Sequence, residues 1–172
     1  LAGEEIQDLK QVFLDGDFAN GQGEVIDSPH MDNYLQAIVN STGKLTRPVK
    51  LAVDCANAVP GPAMSKLLDM LGCEHIDLFC DWDASEPNHG ADPTRPKNMV
   101  DLANAVVEHS CEFGLGADGD GDRIGAVDEK GQFVYPDRLI ALLANDVVGS
   151  EMGKDLLIYD VKCSMNCLLY TS

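Results

Sequence analysis

"VKLAVDCANAVPGPAMSKLLDMLGCEHIDLF", Val49 to Phe79, is the stretch that decides the fold. Its ends, 49–54 and 74–79, are short runs rich in Val, Leu and Ile, the composition of strands. Between them Ala63 to Leu71 repeats its apolar residues at helical spacing, and Gly72 follows as the stop a helix end favours. Strand, helix and strand in that order form a β-α-β unit, and its two strands pair in parallel.

The same alternation continues on both sides. Upstream, Ile6, Leu9, Val12 and Phe13 recur at helical spacing over 4–14, with acidic residues in the first turn, and a polar, glycine-containing break follows at 16–23. Ser28 and Pro29 supply a cap and a first-turn proline for a second helix reaching about Val39. Downstream, a long loop "DWDASEPNHGADPTRPKN" (81–98) leads to a helix over 99–109. Strands "EFGLGAD" and "IGAVDE", a Lys130-Gly131 turn, "QFVY", a helix over 136–148 and a last strand "DLLIYD" (155–160) complete the chain. The expected fold class is α/β, a three-layer α/β/α sandwich. Its mixed sheet is mostly parallel, with antiparallel pairing where the two strands flanking the acidic loop meet.

At 172 residues and 45% hydrophobic, the chain is long enough for one domain with a core, with room for a piece of another. Twenty-nine acidic against 12 basic residues give a net charge of −17, which argues against nucleic acid or an anionic membrane surface as partner. The longest uninterrupted apolar run, Leu139 to Ala144, is far below the roughly 20 residues that cross a bilayer. "LAGEEIQDLK" has no signal-like core and no initiator methionine, so it reads as the interior of a longer coding sequence. A cytoplasmic protein is expected. Cys55, Cys73, Cys80, Cys111, Cys163 and Cys167 lie in apolar segments without CxxC spacing and are expected as reduced thiols.

Within "GLGADGDGDRIGAV", Gly114 to Val127, Asp118, Asp120 and Asp122 stand at i, i+2 and i+4. In extended backbone the three carboxylates face one way, and Gly119 and Gly121 leave room to curve around a small ion. Three anionic oxygen donors suit a hard divalent cation such as Mg²⁺, with open positions for water or phosphate oxygen. Arg123 adds the planar fork that suits phosphate, although it could equally neutralise the acidic loop. Beside a cation it is the usual equipment for phosphoryl transfer.

Three other readings remain open. A calcium-binding module has Glu129 at the twelfth position from Asp118, but Arg123 where an EF-hand loop needs glycine, and strands where it needs helices. A phosphatase with Asp118 as nucleophile is similar to the haloacid dehalogenase pattern D-x-D-x-T/V but meets Asp122 at its fifth position. A merely solvated acidic turn sits oddly between "FGLGA" and "IGAV".

"GLGADGDGDRIGAV", together with "YPDRLIALLANDVV", "VDCANAVPG", "EPNHGADPTRPKNM" and "YDVKCS", resembles the α-D-phosphohexomutase family, and most closely its bacterial phosphomannomutase/phosphoglucomutase branch. The resemblance implies a four-domain isomerase, an intramolecular phosphotransferase that moves phosphate between C6 and C1 of a hexose through a phosphoserine and a bisphosphate intermediate. It implies that Asp118, Asp120 and Asp122 hold Mg²⁺ with a phosphoserine oxygen from the first domain, and that Arg123 sits beside the phosphoryl group. By that likeness 1–27 are the end of the first domain and a linker, 28–164 are the Mg²⁺-binding second domain, and 165–172 are a tail foreign to it. The implied partners are hexose phosphate, hexose bisphosphate and the first, third and fourth domains of the same polypeptide. No serine loop of the family's T-(A/G)-S-H-N-P kind occurs in these residues, so the fragment is expected to be inactive alone. Asn57 to Gly61 reads as a strand-to-helix turn and His89 as a brace for its loop, while His30, His75 and His109 are assigned no chemistry.

Overall fold

The computed structural model describes residues 3–43 and 45–148. The strand expected at 155–160, Cys163, Cys167 and the tail 165–172 lie outside the described residues.

Two compact units divide at His30 and Met31. In the first, helix α1 (Glu4–Asp15) carries no buried residue and ends at Gly16, whose left-handed backbone (φ 66°) lets its N–H close on Phe13. Phe13 and Phe18 meet edge to face. Ser28 does not cap a helix; its hydroxyl pairs with His30 Nε2 at 2.7 Å.

The second unit opens with α2 (Met31–Thr42), two residues later than a Ser28 cap and Pro29 first turn suggested, and runs through β1 (Lys50–Asp54), α3 (Gly61–Leu71) and β2 (Glu74–Leu78). A 3-10 turn (Pro96–Met99), unmarked in the sequence, leads into α4 (Val100–Glu108), β3 (Phe113–Ala117), β4 (Ile124–Asp128), β5 (Phe133–Val134) and α5 (Pro136–Val148). Among the described residues the five strands form one sheet in the order β2-β1-β3-β4-β5. β1 pairs in parallel with β2 and β3, whereas β3–β4 and β4–β5 are antiparallel. The mixed sheet therefore changes from parallel to antiparallel at β3.

Side-chain alternation along β1 separates the two faces. Leu51, Val53 and Cys55 pack with Leu68 of α3 and Ala117, while Ala52 packs with Met99, Leu102, Ala105, Val106 and Val127 on the α4 side. These two apolar layers make the α/β/α sandwich, and each fully buried Leu or Val contributes about 1.5–3 kcal/mol relative to exposure. α2 adds Leu35, fully buried, and an ion pair from Asp32 to Lys66 of α3.

Close approach is achieved with glycine. A Cβ on Gly114 would lie 2.8 Å from Leu102, Val106 and Val127, so the bare strand lets α4 settle onto β3. Among the described residues Cys55, Cys73, Cys80 and Cys111 are free thiols, Cys55 and Cys111 being buried. No described helix is long and apolar enough to cross a membrane.

Candidate metal centre

β1 and β3 end on the same edge of the sheet, and in such sheets sites form beyond the carboxyl ends of the parallel strands. The loop 118–123 lies there, joining β3 to β4 across the closing pair Ala117 and Ile124. It is a tight bend and not an extended run. Asp118 N–H donates to the Arg123 carbonyl (3.2 Å), and Gly121 N–H to the Asp118 carbonyl (3.2 Å). Gly121 takes φ +78°, which its missing Cβ permits, and a Cβ there would come within 3.1 Å of Pro60. The three carboxylates thus converge because the backbone curls, not because residues alternate along a strand.

The outcome for the side chains is nevertheless a cluster. Asp118, Asp120 and Asp122 each offer a carboxylate oxygen, and these oxygens lie within 4.8 Å of one another. Asp118 is fully buried, and its Oδ1 accepts the Arg123 N–H at 3.0 Å. Its other oxygen lies 2.6 Å from Arg123 Nε but makes no aligned hydrogen bond among the described residues. Arg123 Nε also reaches Asp122 Oδ1 at 3.5 Å. In this arrangement Arg123 neutralises the carboxylates.

The charges divide the aspartates. Burial pushes Asp118 upward, but the Arg123 N–H and guanidinium outweigh it and hold the carboxyl below its ordinary range. Asp122 is pushed up by the charge of Asp120, then by desolvation and Asp118. Arg123 is raised by Asp118. An acidic cluster of three carboxylates against one arginine, with a buried oxygen lacking an aligned donor, is chemically suited to a hard cation, which would add positive charge beyond that of Arg123. The donor set fits a divalent metal.

Glu129 lies beyond Asp128, whose partner in the β3–β4 pair is Phe113, at the far end of the hairpin from the loop. It pairs with Lys130 at 3.8 Å, so the twelfth position of a calcium loop is not brought to the carboxylates. The buried Asp118 is likewise covered by Arg123 and not presented as a nucleophile.

The sequence left other residues near the site unassigned. Asp54, the last residue of β1, is buried and faces His89, while Asn57, at φ 57°, donates to Asp81 and accepts from Asn88. A buried acid at the carboxyl end of a central strand was the available signal for Asp54. His75, given no chemistry, sits between Asp77 and Asp69 at 2.6 and 3.2 Å.

Residues 29–131 match the family model described as phosphoglucomutase/phosphomannomutase, alpha/beta/alpha domain II. A phosphomannomutase/phosphoglucomutase of Pseudomonas putida is 43% identical over 95% of this chain and 35% of its own length. A phosphoglucomutase of Neisseria meningitidis is also 43% identical, over 94% of this chain and 35% of its own. The crystal structure of a phosphoglucomutase/phosphomannomutase family protein from Burkholderia thailandensis superposes with a TM-score of 0.85 at 40% identity, covering 99% of this chain and 37% of that one. The chain therefore spans about a third of the length of the relatives it matches.

Proposed function

The chain belongs to the phosphoglucomutase/phosphomannomutase family, and from that membership we propose that it is the metal-holding second domain of a phosphohexomutase. In this reading the whole protein interconverts hexose 6-phosphate and hexose 1-phosphate, of mannose or glucose, through a phosphoserine and a bisphosphate intermediate. Residues 28–164 are the second domain, 1–27 are the end of the first with a linker, and 165–172 are foreign to it. The sheet of the first domain would cover Ile6, Leu9 and Phe13. The serine and the sugar-binding loops belong to the first, third and fourth domains, and the enzyme is cytoplasmic.

The observation that carries the reading is the convergence of three carboxylates around a buried Asp118 oxygen that lacks an aligned donor. Asp118, Asp120 and Asp122 would hold Mg²⁺, which when bound neutralises charge on the transferring phosphoryl group. Arg123, more than half exposed, would exchange its carboxylate partners for phosphate oxygens and hold the phosphate bidentately. Asp118 would keep the loop closed through the Arg123 N–H.

Three carboxylates without a phosphoserine leave the ion under-coordinated, so this chain should bind Mg²⁺ weakly and catalyse no turnover. Isothermal titration of the wild type and Asp120→Asn tests the site: the wild type should take up Mg²⁺ and the variant lose most of that response. Equal responses would overturn the assignment. Hydrolysis of a generic phosphate ester by this chain alone would instead point to an aspartate nucleophile.

A further inference from the structure

A buried polar network lies outside the aspartate loop, at the carboxyl end of β1. Asp54, only 2% exposed, accepts the Ala56 N–H on Oδ1 at 2.9 Å, and its Oδ2 lies 3.0 Å from His89 Nε2. The other ring nitrogen of His89 is 3.2 Å from the Gly90 carbonyl, and the ring stands edge-on to Phe79 with centroids 5.4 Å apart. Asn98, itself buried, donates to the same Gly90 carbonyl (2.9 Å) and to that of Asp92 (3.0 Å).

We propose that His89 is a positioning residue for the aspartate loop: gripped by Asp54 on one nitrogen and by the Gly90 carbonyl on the other, it fixes residues 89–93 as the platform against which 116–125 is seated. The platform lies close against the ends of β3 and β4 and, at one point, against the loop between them. A Cβ on Gly119 would meet Ala91 at 3.8 Å, one on Gly116 would meet Pro93 Cβ at 3.4 Å, and one on Gly125 would fall 2.6 Å from the Pro93 carbonyl. Asp54, His89, Asp92, Asn98, Gly116 and Ala117 also line one small cavity, near the size of a single water. A shift of 89–93 is therefore transmitted to the turn that spaces the carboxylates.

The grip depends on a proton. A carbonyl can only accept, so Nδ1 must carry hydrogen to bond Gly90. Nε2 faces a carboxylate oxygen, so a second proton lies between it and Asp54. Removing either proton turns a ring lone pair onto an oxygen and loses one of the two bonds. The groups around the ring favour retention. Asp54 faces it from β1, Asp101 contributes from α4, and Cys80 borders Asp54 from the end of β2. Glu86 and Asp92 flank Gly90 and the cavity within the loop, Asp92 already being paired with Arg95. Burial opposes the charge on His89, but the Asp54 and Gly90 bonds overcome it and raise the imidazole above its ordinary value.

The metal readout of this inference rests on the cation site proposed above, whereas the clamp does not. The test is nitrogen-15 NMR of this chain from pH 6 to 9.5. Both His89 ring nitrogens should be protonated at neutral pH, and the amide resonances of Gly119 to Arg123 should shift with the midpoint of the ring. His89→Gln keeps a donor toward Asp54 but cannot titrate, so that shared step should vanish. Carboxylate sites ordinarily gain metal affinity as pH rises, because protons stop competing. Here Mg²⁺ affinity should instead fall by about tenfold as His89 deprotonates, the lower end of the effect of partners that orient metal ligands. A neutral His89 at pH 7, or loop amides that ignore its titration, would overturn the proposal even if His89→Gln failed to fold. If Asp120→Asn leaves Mg²⁺ binding unchanged, the cation site falls, and the loop amides still decide the clamp.

Discussion

Arg123 touches two of the three clustered carboxylates, so a cation entering the loop must displace it or share them. Arg123→Gln removes the competing charge. In this isolated chain it should lower the melting temperature without metal, because the buried Asp118 loses its positive partner, yet strengthen Mg²⁺ binding by roughly fivefold through removal of a neighbouring like charge. Thermal melts with and without Mg²⁺ measure both effects, and a variant that binds metal more weakly contradicts the picture. Away from the site, Glu112 is gripped bidentately by Arg47 at 2.8 and 2.5 Å and by the Lys50 N–H at 3.2 Å. The Arg47 bond, then the backbone bond, lowers its carboxyl from 4.5 to about 2. A depressed acid stabilises the fold above its unfolded value, so this contribution is complete above pH 4.5 and disappears as pH falls toward 2. Glu112→Gln should flatten that part of an acid titration followed by circular dichroism. His75 has the opposite sign: burial opposes its proton, but Asp77 and Asp69 raise it above 6.5, so its contribution is present below that value and lost as pH climbs.

The β3–β4 hairpin is built to be approached closely. On β4, a methyl group at Gly125 would collide with the Pro93 carbonyl at 2.6 Å, a backbone atom that cannot rotate away. Gly125→Ala should therefore cost about 1–3 kcal/mol by overpacking, and the displaced 93–99 segment should disturb the aspartate loop as well. Leu102→Ala, in the first turn of α4 and fully buried, should cost about 2–5 kcal/mol without that effect on Mg²⁺ binding; urea titrations separate the two. These contacts also mark what could be read in advance. Asp118, Asp120, Asp122 and Arg123 are legible because they are neighbours, and their spacing survives even though the backbone curls where extension was expected. The strand-helix alternation of 49–79 is legible for the same reason, since periodicity is a local property. His89 is legible as a brace for its own loop, but its pairing with Asp54 is not, because thirty-five residues separate them and only the parallel crossover brings the end of β1 to the 79–99 loop. Ser28 shows the converse failure: it has the identity of a helix cap, but its hydroxyl is taken by His30.

Across the whole molecule, protection should be uneven. Among its described residues the first unit buries none: Ile6 is 50% and Phe13 71% exposed, and isolated helices of about 12 residues are marginal in water. Amides of α1 should therefore exchange nearly as fast as those of a free peptide. β1, parallel-paired on both sides and buried on both faces, should exchange only through global unfolding. Exchange mass spectrometry on this chain distinguishes them, and comparable protection of the two would contradict the assignment. The aspartate loop spans that contrast in sequence distance. Its own closure joins neighbouring strands across six residues and can form early, as a hairpin. Its supports come from Pro60 and from 89–93, and reach it only once long-range parallel pairing is in place. The chain therefore has its carboxylates together before they are held in place, so during refolding the ability to retain a metal ion should lag behind the recovery of secondary structure. Retention of the ion would then serve as a clock for the last step of assembly.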